Sequence, residues 1–254
     1  MTDNDHALAA RLAASAGRHL VELRERDDRG DPRALGAAGD QSAHKLLVAE
    51  LTEHRPEDTV VSEHGTAGPP RRAGGRTWIV DPLDGTREFG EPGRQDWAVH
   101  VALAEGEDLI AGAVALPARD VVLSTAEAPL SVGSGRNRPR IAVSRTRPPR
   151  FVEPLAEALG AVPVPLGSAG AKIAAVVLGD VDAYVHAGGQ YEWDSAAPVA
   201  VARAAGMHAS RLDGSPLRYN QPDPWLPDLV VCRPGLAESL LAELAELDLT
   251  EEGL

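Results

Sequence analysis

Cysteine is nearly absent from this 254-residue chain: Cys232 is the only one. A single thiol excludes an intramolecular disulfide and a thiolate metal cluster, and it fits a reducing compartment. Long apolar runs are missing too. Nothing approaches the roughly 18 or more apolar residues that a membrane span needs. The opening Met1-Thr2-Asp3-Asn4-Asp5 is acidic, and no apolar core follows it. We therefore expect no secretory signal, no membrane partner and a cytoplasmic location. Positive charge is scarce: 25 Lys and Arg against 38 Asp and Glu leave a formal charge of -13. Such a surface repels nucleic-acid polymers and anionic membranes. It also repels phosphate esters, so a phosphate site here needs local positive charge, and bound metal ions are an obvious source. There is no Gly-x-Ser-x-Gly elbow and no Walker loop, which argues against a serine hydrolase and a P-loop nucleotidase. The eight His have no metal-ligand spacing. His100, inside a strand-like run, reads as a core or pocket residue and Cys232 as a small buried hydrophobe.

What is present is an ordinary globular composition, with 43% hydrophobic and 25% charged residues, which rules out a disordered chain. Leu8, Leu12, Ala16, Leu20 and Leu23 recur at helical spacing, predicting a helix over 5–25. Ala43, Leu46, Leu47 and Leu51 predict a second, with Asp40 just ahead of it and a loop over Asp27 to Gly36. Short β-rich runs follow at 59–62, 77–80, 97–103, 109–116 and 121–125. The polar segment Ser131 to Arg140 reads as a link. Beyond it strands (141–144, 162–166, 183–186, 229–232) alternate with helices (152–159, 171–178, 195–205, 236–247), the pattern of an α/β half. This organisation divides the chain into an N-terminal α+β metal-binding part, 1–134, and a C-terminal α/β part, 135–254.

The richest stretch is Trp78-Ile79-Val80-Asp81-Pro82-Leu83-Asp84-Gly85-Thr86. A β-run ends in a carboxylate, Pro82 stops the ladder, and a second carboxylate follows before a glycine turn. Two carboxylates, a free carbonyl and a hydroxyl around one point are the oxygen ligands that hard cations prefer. A strand-ending turn with Asp as turn former would look the same. Glu63 also ends a β-run, after Thr59 to Ser62. Asp194 precedes the helix at Ser195, where a plain helix N-cap is the competing reading, as it is for Asp40.

These residues carry a resemblance. Asp81-Pro82-Leu83-Asp84-Gly85-Thr86 is similar to the DPxDGT signature of the inositol monophosphatase superfamily. Trp193-Asp194-Ser195-Ala196-Ala197, followed by Ala205-Gly206, resembles its second signature, and Ser62-Glu63 its upstream acidic motif. The three motifs stand in the family's order across almost the whole chain. The resemblance implies an α/β fold, a layered αβαβα sandwich, and a Mg²⁺-dependent phosphomonoesterase. It implies that Glu63, Asp81 and the carbonyl of Leu83 hold one Mg²⁺, and that Asp81, Asp84 and Asp194 hold a second. Asp40 and Thr86 would form the catalytic dyad that orients and deprotonates the attacking water. A third ion is in doubt, because His64 stands where many members place an acid, and Gly36-Ala37-Ala38-Gly39 lacks the usual basic and hydroxyl residues. Lithium sensitivity is implied as well.

The finer likeness is to the CysQ-type 3′-phosphoadenosine 5′-phosphate phosphatases. It is carried by Asp84 to Phe89, Gly167 to Lys172, Tyr184 to Gln190 and Leu217 to Gln221. It implies hydrolysis of that small metabolite to AMP and phosphate, with the related phosphosulfate a further candidate and a role in sulfate assimilation. Gly85, Thr86, Ser168, Gly170 and Lys172 would meet the substrate around a helix start. Gln190, with Tyr191 and Glu192, would line a sugar or base pocket. Arg87 and Arg218 would meet a second phosphate, or else be solvated surface residues. An inositol monophosphatase or fructose-1,6-bisphosphatase on the same scaffold remains open, and so do monomer and homodimer. A catalytically silent metal- or nucleotide-binding protein is the reading that the intact carboxylate set opposes.

Overall fold

Two long helices open the chain. Helix α1 (Asp5–Arg26) starts where the Asn4 side chain accepts from Ala7 N, and it buries Leu8, Leu12, Ala16 and Leu20 on one face. Helix α2 (Pro32–His54) starts at Asp31, whose carboxylate accepts from Arg33 N and Ala34 N, with Pro32 pre-set for the first turn. The expected second helix therefore begins earlier than its apolar repeat suggested, and Asp40 lies in mid-helix rather than at a cap. The reason is packing. Gly36 and Gly39 face a short helix, α3 (Thr86–Gly90). A Cβ on Gly36 would sit 2.8 Å from Thr86 Cγ2, and one on Gly39 would sit 2.8 Å from Phe89 Cε1. Glycines that look like loop formers in sequence are contact positions of a helix.

This computed structural model describes residues 4–27, 30–72, 74–128 and 137–247. Two sheets follow the opening helices. The first has the order β2-β1-β3-β4-β5-β6, built from β1 (Thr59–Ser62), β2 (Gly65–Ala67), β3 (Arg76–Asp84), β4 (Ala98–Glu105), β5 (Asp108–Leu116) and β6 (Val121–Ser124). Only β1 and β3 run parallel. The second has the order β10-β11-β9-β7-β8, built from β7 (Arg140–Ser144), β8 (Val162–Leu166), β9 (Ala183–Tyr191), β10 (His208–Ser210) and β11 (Trp225–Cys232). Here β7 runs parallel to β8 and β9, and β11 runs antiparallel to its neighbours.

Strand periodicity sorts the side chains into layers. Trp78 and Val80 of β3 point to α1 and α2, where they join Leu12, Leu47 and Leu103 in one core. Ile79, one residue off, faces the other way, into a core shared with Ala98, Val114, Ile173, Val199 and Leu229. That middle core holds α5 (Ala169–Val177) and α6 (Glu192–Ala204) between the sheets. The far face of the second sheet packs Ile141, Val143 and Val230 on α4 (Val152–Ala158) and α7 (Pro234–Glu246) through Leu155, Leu240 and Leu244. The result is the expected αβαβα sandwich. All strands of the first sheet precede residue 128 and all strands of the second follow residue 137. The anticipated boundary at 134/135 lies outside the described residues. The middle core draws on both sheets, so any division there separates sheets and not hydrophobic cores. No helix among the described residues is long and apolar enough to cross a membrane.

Candidate active site

Since Trp78 and Val80 point to the outer helices, Asp81 falls on the inner face with Ile79, beneath α5 and α6. Pro82 cannot donate to the ladder, and the β3–β4 register shifts between Asp81 and Asp84. This irregularity brings the second carboxylate back to the inner face. Gly85 then takes a positive φ of 87° to start α3, and a Cβ there would meet Ser168 Cβ at 2.9 Å. Asp194 arrives from the first turn of α6. Asp81, Asp84 and Asp194 each place an oxygen within 4.8 Å of the others. Asp40, Glu63 and His64 form a second such group, nearer solvent.

Each acid of the inner group is held by backbone. Asp81 Oδ1 accepts from Leu83 N at 3.0 Å. Asp84 accepts from Gly170 N at 2.6 Å and from Ala169 N at 3.3 Å, the open start of α5. Asp194 Oδ2 accepts from Tyr191 N at 2.7 Å, so it caps α6 from its third residue while facing the site. Asp194 is thus not the N-cap that the sequence suggested but the third residue of a helix that starts at Glu192, reaching back to the N–H of the cap residue Tyr191. His100 is fully buried, with Nδ1 3.0 Å from Trp193 O and Nε2 3.3 Å from Asp84. Burial holds its pKa low, so it is a neutral pocket histidine. Gly170 is glycine for this reason: a Cβ would overlap His100 Nε2.

Three converging acids in a buried place repel one another. Burial first, then Asp84, Asp194 and Glu63, pushes the Asp81 carboxyl well above its usual range. Burial, then Asp84, lifts Asp194 to about 7. Burial, then Asp40, lifts Glu63 to about 7. No lysine or arginine pairs with Asp81, Asp84 or Asp194 among the described residues. Asp40 Oδ1 is buried without a hydrogen-bond partner. An all-oxygen donor set with no salt-bridged lysine or arginine among the described residues, which the Lys172 ammonium offsets only through space, suits a hard divalent cation.

The remaining expected residues divide. Thr86 Oγ1 donates to the carbonyl of Leu83 at 3.1 Å, which uses one of that oxygen's two lone pairs and leaves the other open. Asp40 instead lies 2.9 Å from His64 Nε2. It still faces α3, because Gly36, one turn earlier on the same face of α2, touches Thr86. Ser168 caps α5 by accepting from Ala171 N at 2.8 Å. Lys172 is buried, and its ammonium donates to the carbonyls of Gly167 and Ser168 beneath the Tyr184 ring. Gln190 lines a cavity of about 330 Å³ beside Asp194. Both polar atoms of its amide are buried without partners.

The two arginines expected at a second phosphate do not reach this cavity. Arg87 is exposed on α3, 3.9 Å from Glu91. Arg218 pairs with Glu107 at 3.1 Å. Register explains its distance: Ala98 opposes Asp84, whereas Glu105 opposes Arg76 at the other end of β3. Glu107 follows that far end. Sequence reasoning also missed Arg147 and His186, which line the cavity. Arg147 follows the C-terminal end of β7, and strand C-terminal ends are where α/β sheets bind ligands.

Mixed sheets interleaved with helices, and carboxylates meeting at a strand end and two helix starts, define a metal-dependent phosphatase class. Residues 2–248 match the inositol monophosphatase family, and the chain belongs to it. That family is metal-dependent. The nearer likenesses are narrower. A relative from Mycobacterium leprae named 3′-phosphoadenosine 5′-phosphate phosphatase is 53% identical over 255 residues, covering 96% of this chain and 94% of its own. The 3′(2′),5′-bisphosphate nucleotidase CysQ of Escherichia coli is 32% identical over 200 residues, covering 74% of this chain and 81% of its own. Among solved structures, CysQ from Bacteroides thetaiotaomicron superposes with a TM-score of 0.77 at 26% identity, covering 90% of this chain and 97% of that one.

Proposed function

We propose that this chain is a Mg²⁺-dependent phosphomonoesterase that hydrolyses 3′-phosphoadenosine 5′-phosphate to AMP and phosphate. The observation that carries the chemistry is the meeting of Asp81, Asp84 and Asp194, two of them buried and the third half-buried, with no lysine or arginine salt bridge among the described residues. The substrate follows from the 53% identical relative of that name. Asp81, Asp84 and Asp194 would hold one ion, and Asp81, Glu63 and the Leu83 carbonyl a second. Bound Mg²⁺ would neutralise the phosphoryl oxygens and acidify water, which a protein of charge -13 cannot do with its own surface.

The protein's own groups do the rest. Backbone donors at Leu83, Gly170 and Tyr191 fix the three carboxylates before any ligand arrives, so little reorganisation is left for the reaction. The Thr86 hydroxyl, held by the Leu83 carbonyl, and Asp40, one helical turn from the Gly36–Thr86 contact, would orient and deprotonate the attacking water. Gly85, Thr86 and the Ser168–Gly170 segment would border the phosphoryl group, with Lys172 fixing that segment from below. The setting we infer is the cytoplasm.

Phosphate release from 3′-phosphoadenosine 5′-phosphate, myo-inositol 1-phosphate and fructose 1,6-bisphosphate, with Mg²⁺ and with chelator, tests this reading. A Mg²⁺-dependent preference for the nucleotide is expected. A preference for either sugar phosphate would overturn the substrate, and release that survives chelation would overturn the chemistry.

A further inference from the structure

The cavity beside Asp194 has walls of different chemistry. Asp194 contributes from the start of α6, Gln190 and His186 from β9, and Arg147 from the loop after β7. Two cations line it, Arg147 and Lys172. Lys172 is already committed, since its buried ammonium serves the carbonyls of Gly167 and Ser168. Arg147 is not. Its backbone N–H is tied to Ser144 Oγ at 3.2 Å, which fixes the loop, while its exposed guanidinium has no partner among the described residues. In the same cavity, the Gln190 amide keeps a buried donor and a buried acceptor unpaired. His186 is held neutral chiefly by burial. A ligand matching these walls has an anion for the carboxylate site, an uncharged hydrogen-bonding part for Gln190, and a second anion for Arg147.

We infer that Arg147 receives the second, non-reacting phosphate of a bisphosphate nucleotide and thereby selects bisphosphates over monophosphates. The inference rests on the phosphatase reading given above. An arginine fork suits a phosphate because two N–H donors meet two oxygens. On a protein of net charge -13, one uncommitted cation at a pocket mouth has a large share in choosing an anionic ligand. Arg147 thus takes the role that the sequence suggested for Arg87 and Arg218. The Gln190 amide would pair with the sugar or base between the two phosphates.

The experiment compares kcat and KM for 3′-phosphoadenosine 5′-phosphate and for adenosine 3′-monophosphate, in the wild type and in Arg147→Gln, Arg147→Glu and Arg147→Lys. Arg147 is exposed, so these variants should fold, which far-UV circular dichroism checks. The wild type should favour the bisphosphate. Arg147→Gln should erase about tenfold or more of that preference, mainly through KM, as expected for lost ground-state binding of one charge-assisted contact. Arg147→Glu should erase more, and Arg147→Lys should restore part. An unchanged preference in Arg147→Gln, or an equal loss on both substrates, overturns the role of Arg147 and leaves the phosphatase reading standing. A wild type inactive on the bisphosphate but active on another ester overturns that reading, and the Arg147 assignment with it.

Discussion

The two candidate ligand groups lie close enough for Glu63 to interact electrostatically with Asp81 and Asp194, and they are built differently. Asp81, Asp84 and Asp194 are buried or nearly so, and each is tied to a backbone N–H of a strand end or helix start. Asp40, Glu63 and His64 stand nearer solvent and are held largely by one another, with Asp40 2.9 Å from His64. The inner group is fixed by the fold, so its geometry exists before a ligand does. The outer group can adjust. An ion bound by the inner group meets prepaid order, whereas one bound by the outer group must displace the Asp40–His64 pair.

The largest effect expected is on the inner group. Asp84→Asn should lower phosphate release by about a thousandfold or more, because on the proposed reading it removes an ion ligand worth several kcal/mol at the transition state. A steady-state assay in saturating Mg²⁺ reads this, and a loss under tenfold would break the distinction between the groups. Glu63→Gln should cost less, about 10- to 100-fold, and more of its effect should be recovered by added Mg²⁺. Equal, unrescued losses in the two variants would show the groups to be one unit.

Proton linkage sharpens the same contrast. Glu63 and Asp194 have carboxyls raised to about 7 in the folded protein. A raised acid stabilises the metal-free fold fully below its unfolded pKa and loses that contribution as the pH climbs through about 7. Mg²⁺ binds the ionised form and so competes with protons over this window. The Mg²⁺-induced rise in Tm should therefore be larger at pH 8 than at pH 6. A larger rise at pH 6 would reverse the sign and refute the linkage. The smallest effect is steric. Gly170→Ala must displace His100, which should cost about 1–3 kcal/mol and lower Tm by roughly 2–4 °C for each. Gly235→Ala, in the first turn of α7 with nothing within 4 Å of the added methyl, is the control that should not lower Tm.

Much of this was legible in the residues. The strand ending in Asp81, the Asp84–Gly85 turn and the alternating second half are local patterns, and the structure follows them closely. The start of α2 was missed although Asp31-Pro32 is a local start signal, because Gly36 and Gly39 read as a loop until α3 packs against them. That contact is a tertiary fact with no local signature. Arg218 failed for a similar reason: motif proximity said nothing of the antiparallel β4, which carries Glu107 and its arginine to the far end of the sheet. Arg147 went unnoticed because it sits in no motif. Only the fold brings it into one cavity with His186 and Gln190 of β9.

The most direct test of the account is calorimetric titration of Mg²⁺ into the chelator-treated protein at pH 8, alongside Asp194→Asn. The account predicts Mg²⁺ binding in the wild type that the Asp194 variant loses or weakens severely. Binding of equal strength and number in both proteins would contradict the claim that the buried carboxylates hold the ion.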